Sequence, residues 1–424
     1  MSPALHRDAA SVLAARLDHL LRPDEKLIVR LAAGKFDLES LRGADWPALA
    51  DAASHLGLLG HLALRWDDLR HAGAPADWLV HSAEAWRGQA AFNLLLAHTE
   101  TELLAAFAAR GIAAIPLKGV SLSCMLYGSP AVRSTTDLDL LIPSAQMDAA
   151  AEMLETRGYR SSLPRALLSR RAFLAHTDEH TSETVYVAEA GGIPLQVELH
   201  WKILPLPEEK VWGGLTNYAA PGGRVRGLPP ALYLLYLCAH LSGHGWRSLH
   251  WLADIAAFLD KFANRLDTAE FMRHCNQAKL RCRAGVTFAL LEAYFGIVWP
   301  PGRPLESPHS RRAAESVLLR PLEPAGTPGI FEIHRERLRL QDNTGQRLRY
   351  LWWLAHPTRE EWARDDGTLR PASAAWTSRT ARLLKLASAR ASAGSRTEYA
   401  TTVPAAKRTA PRSARPQADS GEPV

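Results

Sequence analysis

Thr136-Asp137-Leu138-Asp139-Leu140-Leu141-Ile142-Pro143 sets two carboxylates one residue apart inside an apolar run. That spacing limits what the chain can fold into. In a strand, residues i and i+2 face the same way, so Asp137 and Asp139 project together while Leu138 and Leu140 point into a core. Two like charges side by side are costly unless a cation sits between them, and a divalent ion is the usual remedy. The stretch therefore suits the floor of a metal-dependent phosphoryl- or nucleotidyl-transfer site. The rest of the chain must supply a third carboxylate, phosphate-binding groups and a wall.

The segments on either side offer these parts. Ile112 to Leu117 is a short apolar run of strand length, ended by Lys118-Gly119, with a helix from Val120 to Leu126. A strand, a Lys-Gly turn and a helix N-terminus make an anion site, because free N–H groups and the helix dipole favour a phosphate there and Lys118 adds a full charge. Alone, Lys-Gly is equally a solvated lysine and a turn glycine. Arg133 lies four residues before the first aspartate, within reach of a phosphate or as a partner of the aspartates. Further on, Ser182 to Glu189 and Ile193 to Trp201 alternate as strands, and Gly191-Gly192 reads as the hairpin turn between them. Glu198, between Val197 and Leu199, is a lone acid in a buried run, with His200 at i+2 on the same face. If this strand lies beside Asp137 to Ile142, three carboxylates and an imidazole converge.

The remaining sequence reads as helical scaffolding. Residues 1–110 form an N-terminal helical region, 111–205 the core that carries the acids, and 206–300 a helical region closing the cleft. Asp45 reads as the N-cap of a helix over Trp46 to Trp66, and Trp78 to Arg110 as a long helix ended by Gly111. Residues 301–390 are a Pro-rich linker and a Trp-rich helical region, and 391–424 a disordered basic tail. His176-Thr177-Asp178-Glu179-His180 is a polar loop, more often solvated than metal-bound. His240 and His244 stand four apart, a spacing that can bind zinc on a helix. Gly243 and Gly245 interrupt that helix, so a structural place beside the cleft is the preferred reading. The four cysteines form no C-x-x-C pair and read as buried reduced thiols in a cytoplasmic protein. No signal peptide or membrane span is expected. The formal net charge of +6 suits an anionic substrate, but the tail supplies much of it.

Together, Leu117-Lys118-Gly119, Tyr127, Arg133, Asp137-Leu138-Asp139-Leu140-Leu141-Ile142 and Val197-Glu198-Leu199-His200-Trp201 resemble the uncharacterised nucleotidyltransferase family of the DNA polymerase β-like superfamily. Cys238-Ala239-His240, His244-Gly245-Trp246 and Leu252-Ala253-Asp254-Ile255 fit the same pattern. The resemblance runs from roughly Ala50 to Phe258. It implies an α+β fold, a small mixed β-sheet nucleotidyltransferase core flanked by N- and C-terminal helical regions. It implies that Asp137, Asp139 and Glu198 are catalytic and hold Mg²⁺ or Mn²⁺, Glu198 as ligand or general base, in a two-metal in-line attack on the α-phosphorus of an NTP such as ATP. Lys118, Gly119, Arg133 and His200 would then bind substrate. The wider superfamily uses Gly-Gly or Gly-Ser where this chain has Lys118-Gly119, and more often Asp where it has Glu198. The acceptor is an open matter between peptide, protein, RNA and small molecule. A peptide acceptor would fit lasso-peptide-like natural-product biosynthesis. A toxin–antitoxin-type enzyme acting on RNA or protein, and a catalytically inactive nucleotide-binding scaffold, are the alternatives.

Overall fold

The computed structural model describes residues 3–34, 41–161, 163, 165–169, 174, 182–300, 304–322 and 330–355. The 176–180 loop, Trp362, Trp376 and the 391–424 tail lie outside these residues.

Five short strands make one mixed sheet. They are β1 (Ile115–Pro116), β2 (Leu138–Leu141), β3 (Arg160–Ser161), β4 (Glu183–Ala190) and β5 (Ile193–His200), in the order β1-β2-β5-β4-β3. Only β2 and β5 run parallel; the other neighbours are antiparallel. Gly191 and Gly192 close the β4–β5 hairpin with φ of 58° and 83°, left-handed values that glycine adopts without a Cβ penalty. The hairpin expected from the alternation is therefore present.

The period-2 pattern sorts side chains to two faces. Leu138, Leu140 and Ile142 join Val197, Leu199 and Trp201 in one core. Two helices cover that face: α6 (Ala76–Ala109), with Leu96, Leu103 and Phe107, and α8 (Met147–Thr156), with Met147, Ala150 and Leu154. Leu141 belongs to the opposite, larger core, which reaches from Leu13 in α1 (Pro3–Leu20) to Leu340. The N- and C-terminal helical regions thus share one core across the outer face of the sheet. Its centre is α9 (Pro230–Gly243), buried at every position from Ala231 to Ala239. It is joined by α10 (Leu249–Phe262), α11 (Thr268–Ala278) and α12 (Arg281–Phe295). All four cysteines are free and buried. Among the described residues no helix is long and apolar enough to cross a membrane.

Three details depart from the sequence expectations. The single helix expected over Trp46 to Trp66 is broken. Asp45 does cap α3 (Trp46–His55), accepting from the Ala48 amide at 3.1 Å. The chain then turns at Gly57, with φ of 73°, into α4 (Leu59–Ala63). The break lets α4 lie on the loop before β2: a Cβ at Gly60 would stand 2.0 Å from the Val132 carbonyl oxygen. Second, Thr216–Ala220 and Gly223–Gly227 form a separate hairpin, in a polar stretch whose alternation is too weak to announce strands. Third, the Pro-rich stretch read as linker contains a helix, Pro308–Ser316, started by the Ser307 side chain.

Candidate active site

β2 and β5 build the site through their register. Asp139 pairs with Glu198 and Leu141 with His200 across the parallel ladder. Parallel pairing puts residues of equal phase on the same face, so Asp139, Glu198 and His200 emerge together while Leu138, Leu140, Val197 and Leu199 fill the core behind them. Backbone bonds on both sides hold the strand ends: Leu117 N–H donates to the Asp139 carbonyl at 3.0 Å and Ile142 N–H to the His200 carbonyl at 2.8 Å. One ligand atom from each of Asp139, Glu198 and His200 lies within 4.8 Å of the others. Asp137 stands outside that trio, but shares a cation with it.

The cation is Lys118. It leaves β1 and enters α7 (Gly119–Tyr127), and its Nζ lies 2.7 Å from Asp139 Oδ2 and 3.6 Å from Asp137 Oδ2. Burial works against the charge, but Asp137, Asp139 and Glu198 outweigh it and hold Lys118 well above the ordinary lysine range. His200 is the second cation. Its Nε2 is 2.9 Å from Asp139 Oδ1 and 3.6 Å from Glu198 Oε2, and its Nδ1 is 3.3 Å from Glu183 Oε2. Burial lowers its pKa, yet hydrogen bonds to Asp139 and Glu198 and the Glu183 charge prevail and push it up to about 10. For Glu198, burial raises the pKa, and the His200 hydrogen bond and the Lys118 charge overcome it, leaving the carboxyl below its usual range. Gln196 Nε2 fixes the other Glu198 oxygen at 2.9 Å.

Asp137, Asp139, Glu183 and Glu198 outnumber Lys118 and His200, so the cluster keeps an excess of negative charge. Asp139 is fully buried, and its Oδ2 meets the Lys118 ammonium. Carboxylate oxygens with one imidazole and no thiolate suit a hard or borderline divalent ion. The residues present fit Mg²⁺ or Mn²⁺.

The other residues singled out in the sequence are placed as follows. Gly119 begins α7 with φ of 70°, and a Cβ there would meet the Asp137 carbonyl oxygen and Thr135 Cγ2, each at 3.3 Å. Arg133 is 4% exposed and faces a structural partner: its Nε donates to Asp254 Oδ2 at 2.7 Å, and Asp254 Oδ1 accepts from Tyr127 Oη at 2.8 Å. The turn before β2 is tied further by Asn93, whose Nδ2 donates to the carbonyls of Pro130 and Arg133. His240 and His244 belong to no group of three metal-capable side chains among the described residues; their rings pack on each other and on Trp251.

Sequence reasoning missed Glu100 and Glu183. Glu100 lies 1% exposed in α6, accepts a short hydrogen bond from Ser121 Oγ in the first turn of α7, and lies near enough to Asp139 to feel its charge. Burial, with Asp139 adding, pushes its pKa up to about 8 against the Ser121 hydrogen bond. A signal was available: Leu96, Glu100, Leu103 and Phe107 share one helical stripe, so the acid stands on a buried face. Glu183 had no such mark, because only the hairpin register opposes it to His200.

No curated protein and no solved structure is similar enough to the chain to match it. The family described as uncharacterised nucleotidyltransferase matches residues 42–296, more than half of the chain and the whole of the sheet, α7, α9 and α10. The chain belongs to that family and is a transferase of the nucleotidyltransferase kind.

Proposed function

We propose that this chain is a divalent-metal-dependent nucleotidyltransferase that moves a nucleoside monophosphate from an NTP such as ATP to a nucleophilic acceptor in the cytoplasm. The observation that carries the reading is the Asp139–Glu198 register pair, with Asp137 and Lys118 beside it. Asp137, Asp139 and Glu198 would hold Mg²⁺ or Mn²⁺, with His200 beside them. When bound, the ion supplies charge neutralisation on the phosphates and a lowered pKa for the acceptor hydroxyl. The chain's own groups do the rest. Lys118, freed from the carboxylates it now neutralises, turns its ammonium to the phosphate chain, and the start of α7 at Gly119 offers backbone N–H groups beside it. Glu198, held below the ordinary carboxyl range, is better suited to ligation than to proton abstraction. Arg133 acts from behind, holding the loop that presents Asp137 through its pair with Asp254.

The test is transfer of label from α-³²P NTPs with Mg²⁺ or Mn²⁺, offered separately to peptide, protein, RNA and small-molecule acceptors, beside Asp137→Ala and Asp139→Ala. Transfer lost in both variants supports the reading. Label on a small peptide assigns a role of the lasso-peptide-biosynthesis type, and label on RNA or protein the toxin-like role. Nucleotide binding without transfer to any acceptor makes the chain a scaffold.

A further inference from the structure

Helix α9 covers the site face of the sheet and presents three polar side chains there. Tyr233 is committed, since its hydroxyl donates to the Leu117 carbonyl at 2.5 Å. Tyr236 and His240 are not. The Tyr236 hydroxyl and His240 Nε2 are both buried without a hydrogen-bond partner. They stand at i and i+4, hence on one face of the helix. Tyr236 lies where the charges of Asp139, Lys118, Glu198 and Glu183 act on it. His240 lies where Lys118, His244, Arg133 and His200 act on it. Its ring packs against His244, at 4.7 Å, and Trp251, at 4.6 Å.

Buried polar atoms are almost always paired, because leaving one unmet forfeits its hydration. These two unmet atoms stand one turn apart on one helix, and charged groups of the site act on both residues. Phenol O–H is a donor, and imidazole Nε2 is one in the tautomer with its proton there.

We propose that Tyr236 and His240 form a donor pair for the non-bridging phosphate oxygens of the substrate's triphosphate. This rests on the nucleotidyltransferase reading and adds to Lys118 a second set of phosphate contacts, on the wall opposite β2. The pair recognises phosphate whichever base the nucleotide carries, so a base-free ligand reports on it.

The experiment is calorimetric titration of the full chain with tripolyphosphate in Mg²⁺, using wild type, Tyr236→Phe, His240→Leu, His240→Gln and Asp139→Ala, with the melting temperature of each. Phenylalanine keeps the ring contacts and removes only the unmet hydroxyl. We expect Tyr236→Phe to melt no lower than wild type and to bind roughly tenfold more weakly, as for loss of one bond to a charged group. His240→Leu loses a similar factor, and His240→Gln, whose amide nitrogen can stand near the place of Nε2, recovers most of it. Wild-type affinity in both Tyr236→Phe and His240→Leu overturns the donor pair while leaving the site intact. Absence of binding by wild type overturns the reading of the site, and this proposal with it.

Discussion

The Lys118 ammonium stands 2.7 Å from Asp139 Oδ2, an oxygen of a fully buried carboxylate. The lysine occupies the electrostatic role that a divalent ion would fill. Ammonium and a divalent ion would therefore compete for one oxygen.

Removing the lysine should separate binding from chemistry. Lys118→Met is expected to bind Mn²⁺ about tenfold more tightly, the scale on which one nearby charge moves such an equilibrium. It should also transfer label more slowly, having lost the phosphate contact proposed for Lys118. Titration followed by electron paramagnetic resonance reads the first effect and initial rates the second. Weaker Mn²⁺ binding in the variant would exclude the competition.

Asp139→Asn keeps the size of the side chain and removes its charge. It is expected to lower transfer by at least a hundredfold and to abolish stabilisation by Mn²⁺, seen as a shift in melting temperature. It should also let the His200 pKa fall from about 10 toward its ordinary value, since Asp139 supplies much of the upward push. Imidazole NMR over a pH series checks that part without any nucleotide.

Glu100 makes stability fall as pH rises. Its folded pKa, about 8, lies above its unfolded value of 4.5, so the folded state holds a proton that the unfolded chain releases. That contribution is full below about pH 4.5 and is lost as the pH rises through about 8. Glu100→Gln keeps an acceptor for Ser121 and has no proton to lose. The variant should gain on wild type by a few kcal/mol between about pH 5 and pH 8. Urea unfolding at several pH values measures the difference, and a constant gap would refute it.

The Arg133–Asp254 pair is buried on both sides, with side chains 5% and 2% exposed. Breaking such a pair strands a charge. Arg133→Met and Asp254→Asn are each expected to cost about 3–5 kcal/mol, and the double variant much less than their sum. A double-mutant cycle in urea gives the coupling. Additive costs would mean that the two residues act separately, and would return Arg133 to a direct role on the phosphate.

Gly119 sits at φ of 70° against the Asp137 carbonyl. Gly119→Ala adds a Cβ at 3.3 Å from that oxygen in a left-handed conformation, at a cost of about 1–2 kcal/mol. Asp137 carries the displaced carbonyl, so transfer should fall by more than stability explains. Comparing melting temperature with initial rate separates the two.

The parts of the site with a local cause were legible in the chain. Alternation gave β2, β4 and β5 within a residue or two, and a Gly-Gly pair between two alternating runs gave the hairpin. Asp139, Glu198 and His200 were findable because each is a polar side chain on a strand whose alternate positions, Leu138 and Leu140 or Val197 and Leu199, are apolar. The helix break at Gly57 was not legible, since the pattern of Trp46 to Trp66 is helical throughout and the turn serves contact with Val132, far away in sequence. The polar hairpin at 216–227 lacked periodicity for a similar reason: neighbours rather than pattern hold it.

The sequence by itself determined which side chains share a face, because that depends only on the repeat of the strand or helix that carries them. Tertiary structure decided what those faces meet. The parallel register set Asp139 beside Glu198, the hairpin register set Glu183 on His200, and α6 brought Glu100 behind α7. It also turned Arg133 to Asp254, and left the Tyr236 hydroxyl and His240 Nε2 without a hydrogen-bond partner. These relations join residues on separate elements, from the two strands of one hairpin to Arg133 and Asp254, which are 121 positions apart. No local period encodes them, and burial of the two faces of one small sheet fixes them all at once.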